Sequence, residues 1–171
     1  MFSRFHVFTF NNLIFMKEVS INKNMHLSEH FTLGEVTKTS VKTADGNIPS
    51  HVHIENLKNL CENWLEDLRY SNNVLYKDEG IIITSGYRSP EVNKAVGGSP
   101  TSNHLTGCAV DIRCVGIEQA IRYACILLDI ADGTKRDYDE LFIERSKQGR
   151  YWIHFAVRPK DNRRKTAFIQ T

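Results

Sequence analysis

No apolar run in this sequence approaches the roughly 18 residues of a membrane-crossing helix. No C-x-x-C pair occurs either. Cys61, Cys108, Cys114 and Cys125 stand apart, which argues against a cysteine zinc ribbon. Buried free thiols are the expectation, with a disulfide between two of them as the alternative. A large charge imbalance is also missing. The formal net charge is +2, too little to argue for a nucleic-acid partner. Internal repeats and low-complexity tracts are absent. What remains is a 171-residue chain of ordinary globular composition, 41% hydrophobic and 25% charged, long enough for one domain with a sizeable core. A monomer is expected.

The first 16 residues, MFSRFHVFTFNNLIFM, are aromatic-rich and carry one arginine, as a weak signal peptide would. Asparagines interrupt the apolar run and no small-residue cleavage site follows. Residues 1–24 are therefore expected to form a poorly ordered extension, with the folded domain over 25–160 and a basic tail over 161–171.

Along the domain, Thr32-x-x-Glu35 is a capping-box pattern that predicts a helical turn near Leu33–Thr37. Ser50 can cap a helix whose stripe is Val52, Leu57, Leu60, Cys61, Trp64, Leu65 and Leu68. His51 and His53 are two apart on that helix, do not face each other, and read as polar first-turn residues. Ser71 to Gly80 reads as a loop, and Ile81–Thr84 as a buried strand. Ser89-Pro90 starts a short helix that Gly97-Gly98 stops. Ile117–Ala131 is a second long helix followed by Gly133. Ala109–Arg113, Leu141–Glu144 and Tyr151–Val157 alternate as strands.

That alternation carries chemistry. If Val110, Ile112, Leu141, Ile143, Ile153 and Phe155 face the core, then Asp111, Glu144 and His154 face the other side. The fold expected is α+β, a small antiparallel or mixed sheet with helices on one face and a polar site on the other. His104 and Asp111 lie seven residues apart, and His154 follows 43 later. Two imidazoles and one carboxylate suit a three-ligand zinc site with a fourth position open, where bound water acidifies toward a pKa of roughly 7. Such chemistry needs a base, for which Glu144 is placed, and an oxyanion partner, for which Arg88 is suited. Gly107 would allow close backbone approach between His104 and Asp111. Spacing alone leaves other readings open: a loop histidine, a salt-bridged aspartate, a sheet histidine, an arginine flanking a helix, a glutamate in solvent.

The stretch Ser102-x-His104-x-x-Gly107-x-Ala109-x-Asp111, preceded by Ser85-Gly-Tyr-Arg-Ser89 and followed by Trp152-x-His154, resembles the zinc D-alanyl-D-alanine carboxypeptidase family. That family also holds D,D-dipeptidases and phage L-alanyl-D-glutamate endolysins, and the likeness is to its short single-domain phage and prophage members, over about Leu27 to Val157. The resemblance implies a zinc metallopeptidase that hydrolyses a peptide bond in peptidoglycan stem peptides. His104, Asp111 and His154 would hold Zn2+, Arg88 would assist substrate and transition state, and Ser102 and Trp152 would line the substrate site. It also implies an enzyme of the cell wall, waiting in the cytoplasm until released. Many members carry an acid three residues before the last histidine; here Tyr151 stands there, a poor base with its reference pKa near 10. Glu144 is the favoured replacement, with Asp139 and Glu140 as alternatives. A catalytically inactive wall-peptide-binding module and a phage structural protein are the rival functions.

Overall fold

The computed structural model describes residues 22–77 and 79–171. Most of the expected N-terminal extension, residues 1–21, lies outside them. Among the described residues, no helix is long and apolar enough to cross a membrane.

The capping box forms as its residues dictate. Thr32 accepts the Glu35 N–H and the Glu35 carboxylate accepts the Thr32 N–H, opening α1 (Leu33–Val36). Ser50 caps α2 (His51–Leu60). His53, the third residue of α2, returns the favour by accepting the Ser50 N–H, which is what a first-turn polar residue offers. The helix then passes through one π-helical turn, Cys61–Leu65, into α3 (Glu66–Leu75). So Ser71–Leu75 is helical rather than loop, and Val52, placed on the apolar stripe by periodicity, is 65% exposed. Beyond the π turn the chain buries Asn72 and leaves Leu75 72% exposed.

The sheet has five strands in the order β1-β2-β4-β3-β5, with ranges β1 Ile83–Ser85, β2 Ala109–Cys114, β3 Glu140–Arg145, β4 Tyr151–Ala156 and β5 Lys165–Gln170. All pairings are antiparallel except β3–β5. The basic tail expected over 161–171 holds a fifth strand: Lys165–Gln170 runs parallel to the whole of β3 along the sheet edge. Between strands lie α4 (Pro90–Ala95), capped by Ser89, and α5 (Gly116–Thr134), which runs through Gly133 rather than ending before it.

Leu57, Leu60, Trp64, Leu65 and Leu68 pack with Tyr123 and Leu127 of α5 onto Val110, Ile112, Leu141, Ile153 and Phe155. Each such side chain contributes about 1.5–3 kcal/mol on burial. All the helix-facing strand residues follow the predicted parity, so the opposite face is left for polar groups. The four cysteines are free; three are buried as expected and Cys125 is exposed.

One close approach fixes the loop after β1. A Cβ on Gly86 would stand 2.1 Å from the Val36 carbonyl oxygen. Backbone cannot retreat as a side chain can. Gly86→Ala is therefore expected to lower the unfolding free energy by about 3 kcal/mol, the upper end for overpacked sites. Urea midpoints of the two proteins measure this.

Candidate metal centre

Asp111 of β2 lies directly opposite His154 of β4 in an antiparallel register. Opposed residues share a sheet face with Cβ atoms about 5 Å apart. His104 arrives from the other side on a 3-10 turn, Asn103–Thr106. Ser102 caps this turn, its hydroxyl accepting the His104 N–H. Gly107 ends it with φ +70°, where a side chain would be strained. The close approach at Gly107 is to the His53 carbonyl of α2, 2.5 Å from where a Cβ would sit, and not between His104 and Asp111 as the sequence suggested. Tertiary packing of the turn on α2 thus aims His104.

The result is a compact donor set. One ligand atom from each of His104, Asp111 and His154 lies within 4.8 Å of the others. His104 Nδ1 donates to the Gly86 carbonyl at 2.6 Å, which turns Nε2 toward Asp111 Oδ1 at 3.2 Å. His154 Nδ1 lies 3.0 Å from the same oxygen, while Nε2 faces Glu140 Oε2 at 3.4 Å. Each ring nitrogen aimed away from the cluster thus meets an acceptor that fixes the tautomer, as outer partners of metal-bound histidines do. The inward atoms, two imidazole nitrogens and a carboxylate oxygen, suit one small cation such as zinc. All three residues are buried.

Electrostatics agree. Burial by itself would raise the Asp111 carboxyl, but His104 and His154 outweigh it and hold Asp111 well below the usual range. Burial likewise opposes charge on His154, yet its bonds to Asp111 and Glu140, with the charges of Asp111 and Glu144, raise it to about 9. Without metal, then, the imidazolium is retained across neutral pH, and its stabilisation is complete below about 6.5 and lost as pH rises through about 9. A metal at Nδ1 must displace that proton. Zinc binding near pH 7.5 is expected to release about one proton from His154. Calorimetry in two buffers of different ionisation enthalpy reads the number directly.

The sheet-face pocket of about 440 Å³ brings Arg88, Ser102, Glu144 and Trp152 to the three candidate ligands. Arg88 donates from Nε to Ser85 Oγ at 2.8 Å and from Nη2 to Asp111 Oδ2 at 2.5 Å. It therefore orients the aspartate as well as lining the pocket. Glu144 projects here because β3 pairs Glu144 with Trp152 and Phe142 with His154. Burial pushes its carboxyl up; His154 and Arg88 oppose that, and Asp111 and Glu140 add to it.

The two alternative bases are engaged elsewhere. Asp139 is fully buried and takes Arg163 through Nε and Nη2 at 2.8 and 2.6 Å, Arg158 at 2.8 Å and Asn103 at 2.8 Å. Glu140 accepts from Arg163 and Asn103 and faces His154. Sequence reasoning considered Glu140 only as a base and missed its position beside His154. Parity held the signal, since Glu140, Phe142 and Glu144 share one face. Phe142 was missed too; its ring stacks on His154 with centroids 5.6 Å apart. His51 and His53 stay outside the cluster, as expected.

A two-histidine, one-carboxylate centre on the open face of such a sheet is equipped for metal-assisted hydrolysis. A family model described as Peptidase M15 matches residues 29–134, more than half of the chain, and the chain belongs to that metallopeptidase family. The matched stretch holds Arg88, Ser102, His104 and Asp111; Glu144, Trp152 and His154 lie beyond it. Among curated proteins, none matches the chain.

Proposed function

We propose that this protein is a zinc metallopeptidase that hydrolyses a peptide bond in peptidoglycan stem peptides, as a D-alanyl-D-alanine carboxypeptidase or a murein endopeptidase. The observation that carries the reading is the convergence of His104, Asp111 and His154 beside Glu144 and Arg88 in one pocket. The wall substrate rests on the likeness of the Ser102–Asp111 motif and its flanks to wall-peptide hydrolases.

His104 would hold zinc through Nε2, His154 through Nδ1, and Asp111 through Oδ1. Zinc, when bound, acidifies water and polarises a carbonyl. Glu144 takes the proton of the attacking water and passes it to the leaving amine. Its raised affinity for protons suits both halves of that transfer. Arg88 keeps N–H groups of its fork beyond those given to Ser85 and Asp111, and these receive the carbonyl oxygen or a substrate carboxylate. Gly86 and Glu140 hold the two imidazoles in their ligating tautomers. Trp152 forms a wall against which the peptide lies.

The test is digestion of purified peptidoglycan with and without chelator, with products identified by mass spectrometry. New fragments that vanish with chelator and return with zinc are expected, and their masses name the bond. Stoichiometric zinc with no fragments from several wall chemistries would move the assignment to a wall-peptide-binding module.

A further inference from the structure

A second pocket, of about 360 Å³, opens on the same region of the sheet as the metal centre, and Trp152 lines both. Its walls include Arg113, Arg150, Ser146 and Gln148, and none of its lining residues is acidic. Register explains the arrangement. Arg113 follows Asp111 by two on β2, so both side chains leave the sheet on one face. Arg113 lies opposite Trp152 as Asp111 lies opposite His154. Arg150 comes from the turn that leads into β4, just before Tyr151.

The two guanidinium groups are notable for what they do not touch. Most other arginines among the described residues meet carboxylates: Arg88 with Asp111, Arg122 with Glu79, Arg136 with Asp67, Arg158 and Arg163 with Asp139 and Arg164 with Asp132, while Arg69 and Arg145 do not and line neither pocket. Among the described residues, neither Arg113 nor Arg150 has an ion-pair partner. Like charges lining one cavity repel each other, and an anion between them relieves the repulsion. The planar fork of arginine fits a carboxylate through two parallel hydrogen bonds. Ser146 and Gln148 add neutral polar groups to the same wall.

We propose that this pocket is an anion subsite, in which Arg113 and Arg150 receive a carboxylate of the peptide whose scissile bond lies at His104, Asp111 and His154. This rests on the metallopeptidase reading. Two residues along β2 are about 7 Å. An extended peptide advances by the same amount over two of its own residues, so the carboxylate sits one or two residues from the cleaved bond. The preferred substrate is an acidic peptide, with Trp152 between its reacting bond and its charge.

Three synthetic wall stem pentapeptides test this: one with free carboxylates, one amidated at the glutamate α-carboxylate and one amidated at the C-terminus. Zinc-loaded wild type is expected to favour the free peptide over one of the amides by about tenfold in kcat/KM, the effect of one charge-assisted contact. The amide that loses rate identifies the carboxylate. In Arg113→Gln/Arg150→Gln that ratio falls toward one, and Arg113→Lys/Arg150→Lys retains part of it. Equal rates in wild type, or an unchanged ratio in the glutamine pair, overturn the subsite. Circular dichroism and zinc stoichiometry establish that each variant is folded. If no peptide is cleaved, calorimetric titration of the same peptides separates the two ideas. Tighter binding of the free peptide that the glutamine pair abolishes keeps the subsite and sinks the peptidase; equal binding sinks both.

Discussion

His104→Ala is expected to strip zinc from the protein and lower peptide hydrolysis by more than about 100-fold. Losing an outer partner of a ligand costs about 10–100-fold in metal affinity or activity, and a ligand itself carries more. Two donors, Asp111 and His154, are left, and the metal loses its tie to the 3-10 turn. The substitution also orphans the Gly86 carbonyl, which His104 Nδ1 now satisfies. A buried acceptor left alone costs about 1–3 kcal/mol, so the variant should also melt earlier. Metal content by elemental analysis, hydrolysis of wall peptides and thermal unfolding together make the measurement. A variant that keeps stoichiometric zinc and full activity removes His104 from the site.

Glu144→Gln separates chemistry from metal binding. The amide matches the carboxylate in shape and cannot take a proton. Zinc content is expected to stay, peptide binding to persist, and turnover to fall by about 10²–10⁴, the usual contribution of a positioned base. The pH profile gives an independent reading. A base works as its carboxylate, so activity falls as pH falls through the Glu144 pKa. Burial places that pKa above the ordinary glutamate value. The charge of a bound dication pulls it back down, which moves the acid limb of the loaded enzyme to lower pH. In Glu144→Gln this limb should disappear from whatever activity remains. Undiminished turnover would return the base to Glu140 or Asp139. Asp139 is the poorer candidate, since Asn103 and Arg163 already donate to its fully buried carboxylate and Arg158 pairs with it.

The candidate site was legible largely because its strands alternate. Parity alone sends Asp111, Glu144 and His154 to one face, and the observed register seats them together. His104 needed the motif, because a 3-10 turn has no periodicity to read. Its aim depends on Gly107 meeting the His53 carbonyl, a contact between positions more than 50 apart that no local pattern encodes. The fifth strand was hidden by its approach, since Arg163, Arg164 and Lys165 give the segment the composition of a solvated tail. The two arginines in fact pair with Asp139, Glu140, Asp132 and Asp137, and Lys165 lies over the Phe142 ring, which brings the chain alongside β3. Gly133 stayed helical because α5 ends with Lys135 in the left-handed conformation instead.

The π-helical turn at Cys61–Leu65 acts as a phase slip. Leu75 stands 18 residues after Leu57, five whole turns at 3.6 residues each, and an unbroken α-helix would set both on one meridian. A π turn takes in one more residue, rotating everything beyond it by about 100°. The slip turns Leu75 out to solvent and rolls Asn72 inward. Asn72 then donates to Glu79, whose carboxylate also accepts from Gln119 and Arg122 of α5. An apolar seam would let two helices slide along each other, whereas this one is keyed by directional bonds. The long helix and α5 therefore meet in a single register above the sheet that carries the candidate metal centre.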